Sequence, residues 1–232
     1  MKKIAKFQIV ILCGGLASRL GNLTKKVPKS LIQINNKSFI SHQLNYLNHF
    51  NVSEVLLCCG HLNEQIITHI NKIKKNYNFN IKYSIETKKM GTGGALINAF
   101  SKLKKKFILI YGDSYVDINF NNLYTEFMSD NNLYKITIYR NTNTNYTNNI
   151  LLKNKKIIEY DKNKNFNFID YGVSLLDKKI LNSFLSEKDF DLSKIIKYAI
   201  EKKNISYFES KKKFQEIGSS YGINLIQKYL NK

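Results

Sequence analysis

In this 232-residue chain, three short stretches combine glycines with charged side chains in patterns suited to phosphate chemistry. The first is Leu12-Cys13-Gly14-Gly15-Leu16-Ala17-Ser18-Arg19-Leu20, with Pro28-Lys29-Ser30-Leu31 following it. Glycines lack the Cβ that would keep backbone N–H groups away from phosphate oxygens. Arg19 adds a planar fork that can hold two such oxygens, and Lys29 a mobile point charge. The spacing matches neither the Walker loop nor the Gly-X-Gly-X-X-Gly fingerprint. The second stretch is Met90-Gly91-Thr92-Gly93-Gly94-Ala95, with Glu86 shortly before it. It reads as a second glycine loop, open enough for a base or ribose to pack on the backbone. The third, Tyr111-Gly112-Asp113, sets a carboxylate just beyond an apolar run, where a hard divalent cation can meet phosphates.

The elements around these stretches follow from hydrophobic periodicity. Gln8–Cys13, Glu54–Cys59 and Phe107–Tyr111 are continuous or nearly continuous apolar runs, as in strands buried on both faces, and Ile81–Ile85 reads as a further strand. Between them, Ser41–Phe50, Asn63–Lys75 and Ala95–Leu103 place apolar residues at helical spacing. Alternation of this kind predicts βαβ units with right-handed crossovers. Each glycine-rich stretch then falls at a strand's carboxyl end, where open α/β sheets bind ligands. Further on, short strands are expected at Tyr134–Arg140, Ile150–Lys153, Ile157–Tyr160, Asp170–Leu176, Ile205–Glu209 and Phe214–Ile217. Helices are expected at Lys178–Leu185, Leu192–Lys202 and from Ser219 to Leu230. The reading is an α/β fold: a Rossmann-like mixed, mostly parallel sheet with flanking helices and a smaller β-rich C-terminal part. One domain is expected over 1–232, with a Rossmann-like half at 1–120 and a half of different character at 121–232.

Composition excludes several classes. At 43% hydrophobic the chain can build a core, so it is neither a disordered tail nor a disulfide-stapled scaffold. No apolar run approaches the ~20 residues of a membrane span. Met1-Lys2-Lys3 leads straight into a strand rather than a cleavage site, so a cytoplasmic protein without membrane insertion is expected. The net charge of +20 raises the question of nucleic acid. However, all the basic residues but Arg19 and Arg140 are lysines spread along the chain, and no recognition module is present. Nucleic acid is therefore not the expected partner, and the field suits small anionic substrates. Cys13, Cys58 and Cys59 lie in apolar runs without metal-ligand spacing and read as reduced core thiols.

The stretches Gly14-Gly15-x-x-Ser18-Arg19-Leu20, Pro28-Lys29, Gly91-Thr92-Gly93-Gly94-Ala95 and Gly112-Asp113 occur in the order seen in sugar-1-phosphate nucleotidylyltransferases. The chain resembles that superfamily from residue 8 to about 228 and within it looks like the short bacterial heptose 1-phosphate guanylyltransferase-like enzymes. Asp170-Tyr171-Gly172-Val173 and Phe214-Gln215-Glu216-Ile217-Gly218-Ser219 resemble that subgroup's later motifs.

The resemblance implies condensation of a nucleoside triphosphate with a sugar 1-phosphate, such as GTP with a heptose 1-phosphate, for surface polysaccharide biosynthesis. It implies nucleotide contacts from Leu12, Gly14, Gly15, Ser18, Arg19, Lys29, Gly91 and Gly94, with Arg19 on the leaving pyrophosphate. Lys162, Asp170 and Gly172 would meet the sugar phosphate, and Asp113 with Glu216 would bind Mg²⁺. Arg19, Lys29, Asp113 and Lys162 form the implied catalytic set. The chain departs from the pattern at Ala17, at Lys89-Met90 and in lacking a proline after Lys162. Two other readings stay open: a cytidylyltransferase acting on a phosphocholine- or phosphonate-like head group, and a catalytically silent nucleotide-binding relative. A homodimer is carried as an expectation without an identified surface.

Overall fold

The structure is a computed structural model that describes residues 5–15, 26–213 and 215–231. Strand β1 (Phe7–Leu12) is buried along its whole length. Its side chains alternate between the two faces of the sheet, with Ile9 and Ile11 entering one core and Val10 and Leu12 the other. A short hairpin, β2 (Gln33–Ile34) and β3 (Lys37–Ser38), leads into α1 (Phe39–Leu47). The chain then runs through β4 (Val52–Cys59), α2 (Asn63–Ile73), β5 (Asn80–Ile85), α3 (Gly91–Asn98) and β6 (Lys106–Tyr111). After β7 (Ser114–Tyr115) come α4 (Phe120–Met128), β8 (Tyr134–Tyr139), β9 (Ile150–Lys153), β10 (Lys156–Tyr160) and β11 (Ile169–Asp177). The last elements are α5 (Ser193–Glu201), β12 (Ile205–Ser210), β13 (Gln215–Glu216) and α6 (Ser220–Leu230).

The seven-stranded sheet has the order β12-β8-β11-β6-β1-β4-β5. β1 pairs in parallel with both β4 and β6, β4 with β5 and β8 with β12, while β11 runs antiparallel between β6 and β8. One core holds Leu44 of α1, Ile66 and Ile70 of α2, and Leu123 and Phe127 of α4. The opposite core holds Ala95 and Leu96 of α3 with Ile195 and Ile196 of α5. Helices therefore cover both faces, which is why the central strands β1, β4 and β6 read as largely apolar runs, whereas the edge strand β5 does not. No helix among the described residues is long and apolar enough to cross a membrane.

Several local expectations change. Gly91–Asn98 is helical, so the second glycine stretch is the opening of α3 rather than a loop before it. Helix α4, unforeseen, is capped by the Asn119 side chain accepting from the Asn122 N–H. Lys178–Phe184 winds as a 3₁₀ helix. The strand expected at Phe214–Ile217 contracts to Gln215–Glu216, paired with β7, and Phe214 lies outside the described residues. The later strands β8, β11 and β12 extend the same central sheet, and the β9–β10 hairpin stands apart from it.

Candidate active site

The strand order turns at β1, whose two neighbours are reached by chain running outward in opposite directions. A crevice must open at the carboxyl ends of the strands there. Register fixes its floor: Leu12 is level with Cys58 of β4 and with Tyr111 of β6, and Cys59 is level with Ile85 of β5. Gly14, Gly112-Asp113 and Glu86 thus leave the sheet together. A cavity of about 540 Å³ occupies this place. The first glycine stretch contributes Leu12, Cys13, Gly14 and Gly15, and the Pro-Lys stretch Lys29 and Ser30. Glu86, Lys89, Gly91 and Thr92 close a second side, Tyr111, Gly112 and Asp113 a third, and Lys162 with Asp191 the rim.

The Asp113 carboxylate takes the Lys29 ammonium at 2.7 Å, with Lys29 largely buried and Asp113 partly open. The turn carrying Asp113 is pinned from three directions. Gly112 N–H donates to the Leu12 carbonyl at 3.1 Å and Ile217 N–H to the Asp113 carbonyl at 2.9 Å. The buried Gln43 side chain of α1 donates to the Ser114 carbonyl at 2.9 Å. A carboxylate held rigidly beside a lysine, in a crevice fit for phosphates, matches the way Mg²⁺ is shared between one or two acids and substrate oxygens.

Glu216 does not join it. Backbone pairing of β13 with β7 sets Glu216 opposite Ser114. Its side chain turns instead into the start of α6, accepting from the Gly218 N–H, the Ser219 hydroxyl and the Tyr146 hydroxyl. There it serves the helix N-terminus as an anion, and it does not line the cavity. Among the described residues no group of three or more His, Cys, Asp or Glu could hold a metal; of the two acids expected to bind Mg²⁺, Asp113 lines the cavity and Glu216 does not.

The α3 glycines are used differently from the sequence reading. Gly93 N–H and Gly94 N–H both donate to the Phe190 carbonyl, at 2.9 and 3.2 Å. Gly91 has φ +67°, and a Cβ there would lie 2.5 Å from that same oxygen. At Gly93 a Cβ would fall 2.3 Å from the Phe190 ring, and at Gly94 one would fall 2.5 Å from the Lys188 carbonyl. Close packing of segment 188–191 is what the bare faces of these residues permit. Gly91 reaches the cavity and Gly94 does not. Gly93→Ala should therefore cost about 1–3 kcal/mol of overpacking. Thermal denaturation should show a midpoint ~2–10 °C lower for a chain of this size, and an unchanged midpoint would show that segment 188–191 is not clamped there.

That segment carries Asp191 to the rim. Asp191 accepts from Lys162 at 2.7 Å, from the Thr92 hydroxyl at 3.0 Å and from Ser193 N–H at 2.9 Å. Burial works against its ionisation, yet Lys162 and the Ser193 N–H hold the carboxyl down at about 2. Asp170 does not line the cavity but meets its wall at Tyr111, whose hydroxyl donates to it at 3.2 Å. Burial pushes its carboxyl up to about 6 despite the Gly172 N–H and the Tyr111 hydroxyl. Gly172 packs on Ser114, below the Asp113 turn, and not on the cavity.

Glu86, Thr92, Tyr111 and Asp191 were not assigned roles from sequence. Only Glu86 carried a signal, an acid between a buried strand and a glycine stretch. Its Oε1 would lie 2.8 Å from a Cβ at Gly14, so the glycine's bare face and this carboxylate bound the same space. Burial raises the Glu86 pKa, opposed by the Met90 N–H. Ser18 and Arg19 lie outside the described residues.

Comparison with known proteins identifies the family and the fold. A family model described as nucleotidyl transferase matches residues 8–223. The D-glycero-alpha-D-manno-heptose 1-phosphate guanylyltransferase of Campylobacter jejuni is 28% identical over 191 residues, covering 82% of this chain and 84% of that protein. The Aneurinibacillus thermoaerophilus enzyme of the same name is 35% identical over 108 residues, 46% of each chain. HddC from Yersinia pseudotuberculosis, solved alone and with GMP-PN, superposes with a TM-score of 0.81 at 23% identity over 97% of this chain and 99% of that one. The inositol-1-phosphate CTP transferase of T. maritima superposes with a TM-score of 0.80 at 19% identity, over 98% and 96%. At such identities the superpositions speak for the fold, the nucleotide-diphospho-sugar transferase fold, while the family match spans nearly the whole sequence. The chain belongs to the nucleotidyl transferase family.

Proposed function

We propose that this chain condenses a nucleoside triphosphate with a sugar 1-phosphate, releasing pyrophosphate, and that the preferred pair is GTP with a heptose 1-phosphate or a near relative. The observation that carries this is the single crevice lined by Gly14-Gly15, the Lys29–Asp113 pair, Glu86 and Lys162. The relatives named guanylyltransferases support the choice of GTP. So does Glu86: the Watson–Crick edge of guanine offers two adjacent donors, N1–H and N2–H₂, which suit one carboxylate. Each of the other bases offers that acid an acceptor beside its donor.

In the forward reaction a sugar-phosphate oxygen forms a bond to the α-phosphorus while the bond to the β-phosphate bridging oxygen breaks, and the electron pair leaves on pyrophosphate. The attacking phosphate is already largely ionised at neutral pH (second pKa about 6), so no general base is required. The work lies in bringing two anions together and offsetting charge on the departing group. Lys29, Lys89 and Lys162 all line the cavity; in this reading Lys29 and Lys89 meet the triphosphate and Lys162 the acceptor. Arg19 is proposed to meet the pyrophosphate. Asp113 would hold Mg²⁺, which when bound supplies charge neutralisation of the phosphate oxygens. Glu216 would reach the same ion only by giving up its bonds at the start of α6.

The test is pyrophosphate release from each nucleoside triphosphate against heptose, mannose and glucose 1-phosphates and phosphocholine. GTP with a hexose or heptose 1-phosphate should lead. CTP with phosphocholine leading would replace the acceptor and base assigned here, and silence with every pair would remove the enzyme reading.

A further inference from the structure

Lys162 is already engaged by Asp191, and the two sides of this ion pair are held very differently. The carboxylate is fixed: Ser193 N–H donates to Oδ1 at 2.9 Å and the Thr92 hydroxyl to Oδ2 at 3.0 Å. The Thr92 oxygen itself accepts from Leu192 N–H at 2.8 Å, tying the acid to the start of α3 and to segment 190–193 at once. Lys162 approaches from the turn after β10 on a flexible stem, and its ammonium meets Oδ1 at 2.7 Å. The two side chains are 50% and 44% exposed, and both residues line the cavity. An ion pair this open to water is weak and exchanges readily, since high dielectric screens the attraction and the long lysine side chain must be held in one geometry for it.

We propose that Asp191 is a resident counter-ion that occupies Lys162 in the empty site, and that the acceptor's phosphate takes Lys162 from it on binding. Lys162 is the member free to move, so the exchange is a swing of the lysine from a fixed carboxylate to the incoming phosphate. A dianionic phosphate can take the ammonium because it carries more charge than the carboxylate. A free sugar, having none, cannot, and Asp191 thereby makes the acceptor end of the site selective for phosphorylated ligands. Asp191 is a positioning residue in this scheme, acting through Lys162. Its ionisation at about 2, which burial opposes and Lys162 and the Ser193 N–H enforce, keeps it charged through the neutral range. The proposal rests on the assignment of Lys162 to the acceptor's phosphate.

The test is a double-mutant cycle on the full chain with Asp191→Asn, Lys162→Met and both together. Binding of mannose 1-phosphate is measured by calorimetry, with inorganic phosphate as a second probe and GTP as the control. Asp191→Asn retains an amide oxygen for Lys162 and for the Ser193 N–H while dropping the charge, so the segment should keep its melting behaviour. Phosphate binding should tighten about three- to ten-fold in Asp191→Asn, the scale of removing one charge near a partly exposed site. It should weaken at least about ten-fold in Lys162→Met, and Asp191→Asn should lose most of its effect in that background. GTP binding should change less than about two-fold in every variant. Weaker phosphate binding in Asp191→Asn, or equal tightening in both backgrounds, overturns the exchange. Unchanged phosphate binding in Lys162→Met removes the assignment of Lys162 and the exchange with it.

Discussion

Asp113→Asn should reduce turnover at saturating substrates by at least ~100-fold, the scale of losing one group that stabilises charge in the transition state, and should raise the Mg²⁺ concentration needed for half-maximal rate. Asparagine preserves the shape of the side chain and leaves Lys29 an oxygen at 2.7 Å, so the pinned turn at residues 112–114 keeps its backbone bonds. The comparison that isolates the acid is Lys29→Met. Both changes break the same ion pair, but loss of the lysine should act on KM for the triphosphate and leave the metal requirement nearly unchanged. Asp113→Asn enzyme retaining more than about a tenth of wild-type turnover would show that the carboxylate merely orients Lys29. Circular dichroism and the melting midpoint guard against a folding artefact.

Glu86→Gln should lower kcat/KM for GTP by about 10–150-fold and narrow the margin over UTP. A hydrogen bond to a charged acceptor is worth about 1.5–3 kcal/mol, and the glutamine amide offers one neutral acceptor where the carboxylate offers two charged ones. The new donor on the amide suits uracil, whose N3–H lies beside a carbonyl. Burial raises the Glu86 pKa, so the wild-type preference for GTP should fade on acidification earlier than an ordinary carboxylate would allow, because protonation removes the charged acceptor. In Glu86→Gln that acid limb should vanish. Unaltered base preference in Glu86→Gln would mean that the base is read elsewhere, and GTP would lose its structural support.

The central strands and the position of the crevice were legible because their signals are local. An unbroken apolar run ended by glycine at Leu12-Cys13-Gly14 specifies a strand buried on both faces and the bare backbone after it. The same holds at Tyr111-Gly112-Asp113, so Lys29 and Asp113 could be named before their contact was seen. Boundaries were less secure where no apolar period marks them. Helix α4 starts on an asparagine cap within a polar stretch, and the α3 glycines read as a loop when they are a helix start.

What the amino-acid order determined by itself was the alternating strand and helix framework, its glycine-marked strand ends and the charges available there, all set within windows of a few residues. Tertiary structure alone decided which of those charges meet. Segment 188–191 lies about a hundred residues from α3 in sequence, yet it uses the space left by Gly91, Gly93 and Gly94 and brings Asp191 to Lys162. Glu216 runs beside Asp113 along the backbone, and its carboxylate still turns to the start of α6, because the unpaired N–H and hydroxyl groups of a helix N-terminus attract an anion wherever one is within reach. Strand pairing settles which residues become neighbours, but competition among nearby donors and acceptors settles where each side chain points, and that competition exists only once the chain is folded.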